Sequence, residues 1–166
     1  MQQFDLAVLI LRVVFGVFLA VHGYNKFFGK GGLTGTTGWF GSIGMKWPVW
    51  QARTAATTEI GAGLFLAAGL LTPLAGGAMV ALMLVAIWVA HRKVGFFVFR
   101  PGQGWEYCAS IAVVSFCVAT MGAGRWSLDH ASGIHFHGWS GALTAGLLGI
   151  GGAVAHLAIS YRPTPS

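Results

Sequence analysis

Charge is what this sequence has least of. Only 8% of its 166 residues are charged, and four of them are acids. A soluble domain of this length carries roughly a quarter charged residues. Cysteine is equally sparse: Cys108 and Cys117 are the two in the chain. They lie in one apolar segment, about 13 Å and half a turn apart if helical, too far for a disulfide. They read as packing residues and say nothing about compartment. There is no haem-attachment motif, no cysteine cluster for iron–sulfur and no dinucleotide fingerprint. Gly29-Lys30-Gly31-Gly32 lacks the spacing and the Lys-Ser/Thr ending of a phosphate loop. Residues 1–5 are not basic and no small-residue cleavage site follows the first apolar run, so no signal peptide is expected.

What is present is apolar and small. Hydrophobic residues make up 55% of the chain, with 26 glycines and 7 tryptophans, and the mean hydropathy is +0.71. Close-packed membrane helices with interfacial aromatic anchors have this composition. The predicted fold class is all-α, an integral membrane helical bundle forming a single domain over residues 1–166. Apolar runs place five spans at about 4–28, 51–71, 73–91, 105–123 and 139–161. Residues 29–50 are too rich in glycine to span and form an interfacial or re-entrant loop. Within it, Thr37 is expected to cap a short helix presenting Trp39, Phe40 and Ile43. The formal charge of +6 does not indicate nucleic-acid binding. Ten Lys and Arg scattered among apolar runs make no basic patch.

The first span organises the rest. At about 100° per residue, Arg12, Gly16, Leu19, Gly23 and Lys26 share one stripe, with His22 a turn from Lys26. Lipid would make that stripe costly, so it should face other helices, which the glycines admit closely. Five spans put Lys26, Lys30, Lys46, Arg53, Arg92, Lys93, Arg100 and Arg162 on one side and Arg125 on the other. Positive-inside bias then sets the N-terminus outside and the C-terminus in the cytoplasm.

This topology brings polar residues to one depth. His22 and Lys26 end span one, Glu59 lies roughly 12 Å into span two, His91 closes span three and Glu106 opens span four. Glu59 has no neutralising group on its own helix and needs a cation or proton from a neighbour. The five are candidates for ligand binding and proton exchange, or for an ion network that fixes helix register. Each also has an ordinary role: Glu106 suits a helix first turn, and His91 a helix end. His22, Glu59, His91 and Glu106 could instead hold a metal, a reading opposed by Lys26 in the same cluster. At the other end Arg12 is expected to form a structural ion pair with Asp129, with Asp5 as competitor. His130, His135 and His137 nearby read as solvated loop histidines. Ala145, Gly149 and Ala153 recur every fourth position in span five, suiting tight helix pairing.

These motifs, in this order, resemble the DoxX family of small bacterial membrane proteins. The residues that carry the resemblance are Leu11-Arg12 with Gly16, His22-Gly23-Tyr24-Asn25-Lys26, Thr58-Glu59-Ile60-Gly61, Gly69-Leu70-Leu71-Thr72, His91, Glu106-Tyr107 and Gly124-Arg125-Trp126-Ser127-Leu128-Asp129. The similarity covers residues 9–129. It implies a four-helix core, to which span five is an addition, and a bacterial plasma (inner) membrane location. The family takes its name from association with a membrane thiosulfate:quinone oxidoreductase. The resemblance therefore implies a quinone- or redox-linked membrane subunit, not catalytic alone, working with other membrane or membrane-associated redox proteins and the lipid bilayer, or as a homo-oligomer. A quinone would be the cofactor, held at the cytoplasmic leaflet by Lys26 and His22, with Glu59, His91 and Glu106 exchanging protons. The alternative is a non-enzymatic scaffold or assembly subunit that docks partners through its aromatic loops and small-residue fifth helix.

Overall fold

The computed structural model describes residues 2–163 as helices joined by short loops. Helix α1 is Gln2–Phe28, α2 is Gly32–Ser42 and α3 is Pro48–Ala68. Helix α4 is Thr72–His91, α5 is Glu106–Met121, α6 is the short Leu128–Ala131 and α7 is Gly138–Ser160. Pro48 and Pro73 stand in the first turns of α3 and α4, where a missing N–H leaves no bond unmade. The all-α membrane-bundle class is as expected. Three helices (α1, α4 and α7) are long and apolar enough to cross a membrane by length and composition, and α5 is a shorter apolar helix. The second expected span, α3, carries Arg53 and Glu59 and is less apolar; it packs along α1.

Glycine sets the approach of α1 to α3. A Cβ on Gly16 would strike the carbonyl oxygen of Gly63, and one on Gly63 would strike that of Gly16. Seven residues on, a Cβ on Gly23 would lie 2.6 Å from the Ala56 carbonyl. The two helices thus run antiparallel with backbones touching, and the buried face of α1 is Asp5, Val8, Arg12, Gly16, Leu19 and Gly23. Arg12, Gly16, Leu19 and Gly23 of the expected stripe are in it; Lys26 is partly exposed, and Asp5 and Val8 extend the stripe toward the N-terminus. Leu19, Leu66, Met79 and Ile111 then interlock α1, α3, α4 and α5 in one core.

Helix α7 runs parallel to α4. Ala145 sits against Gly77, and Gly149 against Val80. The small-residue stripe is therefore spent inside the chain, with Ala145 and Ala153 buried, which corrects its expected use for docking partners. Both helices contain a π turn, at Ile87–His91 and Leu147–Gly151.

Residues 29–50 fold differently from expectation. Helix α2 opens at Gly32 without a side-chain cap, and Thr37 lies inside it. Phe40 is buried with Met45 and Ala52 in a second small core, against which Ile43 and Tyr161 pack. The chain end joins this layer: Lys46 N–H donates to the Ser160 carbonyl and Arg162 N–H to that of Gly44, both at 2.8 Å.

Candidate functional site

Because Gly23 lets α1 lie directly on α3 at Ala56, the next turn of each helix places Lys26 against Glu59. Lys26 Nζ donates to both carboxylate oxygens, at 2.6 and 2.8 Å. Glu59 is buried, at 6% exposure, so the carboxylate is answered by a cation from another helix. His22, one turn before Lys26, meets Tyr107 from α5: Nε2 and the phenol oxygen are 3.2 Å apart, and the rings are tilted with centroids at 5.5 Å.

These groups line a cavity of about 640 Å³. The volume is in the range of ordinary small-molecule sites. His22, Lys26, Glu59, Gln51 and Tyr107 are among its polar lining residues, and Leu82, Met83 and Ile111 among its apolar ones. Trp39 from α2 and Trp50 from α3 also face it. The lining thus sets hydrogen-bonding groups beside apolar side chains.

His91 and Glu106 depart from the expected cluster in different degrees. His91 lines the cavity, but its Nδ1 is 2.6 Å from the Gln103 carbonyl, which can only accept, so in this contact Nδ1 is the donor. Glu106 is absent from the cavity lining; its Oε2 accepts from the Val98 N–H at 3.2 Å. Both side chains hold the loop between α4 and α5, which closes on Trp105 N–H to Gly95 and Glu106 N–H to Phe96. The metal reading built on His22, Glu59, His91 and Glu106 is corrected accordingly. Among the described residues, no group of three or more His, Cys, Asp or Glu is placed to share a metal, because Glu59 is held by Lys26 and Glu106 by the loop.

At the opposite end the expected Arg12–Asp129 ion pair does not form. The Arg12 guanidinium donates to the carbonyls of Ala67, at 3.0 Å, and Trp126, at 2.6 Å. Asp129 accepts from Leu71 N–H at 2.7 Å, and its other oxygen accepts from Thr72 N–H and hydroxyl at 3.0 and 2.7 Å. Each charge thus meets the helix end of opposite partial charge, the cation at the end of α3 and the carboxylate at the start of α4. Asp5, the expected competitor, accepts instead from the Arg125 N–H at 2.9 Å.

Tyr107, Gln51 and His156 are among the cavity residues that the sequence did not mark as candidates. His156 follows the rule that flagged Glu59, an ionisable group inside an apolar run, and was visible by it. Tyr107 lacks that signal, because aromatic residues are ordinary in membrane helices, and it stood out only within the Glu106-Tyr107 pair of the family resemblance.

A protein of Bacillus subtilis (strain 168) named "Putative oxidoreductase CatD" is 34% identical over 95 residues, covering 57% of this chain and 67% of that one. No solved structure gives a significant match. The DoxX family model matches residues 7–92, which include His22, Lys26, Glu59 and His91, and the chain belongs to the DoxX family.

Proposed function

We propose that this protein is a redox-linked membrane subunit that binds a quinone-type amphiphile in the cavity between α1, α3, α4 and α5. The observation that carries the reading is the lining of that cavity: His22, Lys26, Glu59 and Tyr107 cluster in its wall beside apolar side chains such as Leu82, Met83 and Ile111. A quinone head needs hydrogen-bond donors beside a route for protons, and its tail needs an apolar slot. Tyr107 and His22 supply neutral donors for a carbonyl. Lys26 and Glu59 supply a proton-exchanging pair at the same depth. The bacterial inner membrane, with this basic end toward the cytoplasm, is the setting that fits the charge distribution. Electrons come from a partner protein or a bound small molecule, and the oxidoreductase name of the Bacillus subtilis relative supports that assignment.

Trp39 and Trp50 at the cavity wall make the test direct. Purified protein in detergent is titrated with decylubiquinone, and quenching of tryptophan emission is followed. The expected result is saturable quenching that weakens about tenfold in the double variant His22→Leu/Tyr107→Phe, the loss expected for about one hydrogen bond at a site each residue shares. Linear, unsaturable quenching identical in both proteins would overturn the reading.

A further inference from the structure

His156 has no role in the site as described so far. It comes from α7, which lies beyond the matched family region at residues 7–92. Its imidazole is half-buried and lines the same cavity as His22 and Glu59. Among the described residues it makes no hydrogen bond or ion pair, whereas His22 and His91 each have a protein partner. Gly152, one turn earlier, and Ser160, one turn later, line the cavity too, so α7 presents a continuous edge to it. The helix is seated by its contacts with α4, where a Cβ on Gly152 would lie 3.6 Å from Ala81. His22, Lys26 and Glu59 belong instead to the α1–α3 pair.

We infer that His156 is a second polar anchor, and that the cavity takes a ligand with hydrogen-bond acceptors on two sides of a ring rather than one. One acceptor meets His22 and Tyr107, from α1 and α5; the other meets His156, from α7, in the same cavity. An imidazole lining the cavity without a protein partner leaves a donor and an acceptor unmet, which favours a ligand group that satisfies them. The added helix thereby both closes the cavity and narrows its specificity to ring compounds carrying two opposed carbonyls or hydroxyls. The inference rests on the reading of the cavity as a quinone-type site.

The experiment compares two probes on full-length protein in detergent: decylubiquinone, with two opposed ring carbonyls, and a one-carbonyl ring bearing the same tail. Wild type binds the two-carbonyl probe more tightly. In His156→Leu that preference disappears: the two-carbonyl probe loses about five- to tenfold, the size of one neutral hydrogen bond, while the one-carbonyl probe is unchanged. His156→Gln, which keeps a donor and an acceptor, restores most of the preference. Equal losses for both probes, or no loss for either, would overturn the role of His156 while leaving the quinone-type reading intact. Failure of wild type to bind either probe would remove both.

Discussion

Lys26 Nζ bridges the two carboxylate oxygens of Glu59, at 2.6 and 2.8 Å, from a neighbouring helix. The two-point bond, together with the backbone contact at Gly23, fixes the register of α1 on α3 at this end of the bundle. Removing one partner leaves the other charge stranded in an apolar wall, at a cost of roughly 3 kcal/mol, whereas removing both spares most of that. Lys26→Met should therefore lower the thermal midpoint in detergent by several degrees, and Lys26→Met/Glu59→Gln should recover most of the loss. A double variant no better than the single one would show that the pair is not coupled.

The α1–α3 crossing predicts a sharp contrast between neighbouring glycines. Gly16→Val or Gly63→Val drives a side chain into the facing backbone, where overpacking costs about 1–3 kcal/mol. Gly61→Ala, with nothing within 4 Å of its added methyl, should leave the midpoint unchanged. Differential scanning fluorimetry on the three purified variants checks both halves.

Asp129 holds the start of α4 together. Leu71, the residue before that helix, has a left-handed φ of +47°, a conformation that costs a branched side chain about 1–2 kcal/mol. The carboxylate bond to its N–H holds it there. Asp129→Ala should destabilise by roughly 3 kcal/mol through loss of three acceptor contacts. Leu71→Gly, which adopts that φ freely, should soften the effect when combined with it. Chemical denaturation of the single and double variants measures the coupling.

Arg12 joins two elements with one planar group. Its two amino nitrogens reach carbonyls at Ala67 and Trp126, a fork that a single ammonium does not reproduce. Arg12→Lys should cost about 1–3 kcal/mol despite keeping the charge, and hydrogen exchange should rise around Ser127 and Asp129. Unchanged exchange there would mean that the guanidinium does not hold the turn.

The buried stripe of α1 and the Lys26–Glu59 pairing were readable because both follow from periodicity and from the cost of an unanswered carboxylate. What periodicity does not carry is the direction of a side chain near a helix end. Glu106 shares the depth of the cluster, yet the amide of Val98 in the adjoining loop claims it. Arg12 and Asp129 were matched by sign alone. Backbone termini of two helices outcompete the direct pair, because each offers partial charge already in place. The capping of the helix within residues 29–50 was not legible, since Gly31 supplies no side chain to recognise.

The π turn at Leu147–Gly151 admits one residue more than a regular helix would use. Everything after it is rotated by about 100° relative to an uninterrupted α-helix. Deleting one residue from that turn would swing His156 and Ser160 off the cavity edge toward lipid, while Ala145 and the first half of α7 kept their seat on α4. The aim of the last helical segment is thus a matter of phase, set by a single extra residue ten ångströms or so upstream along the axis.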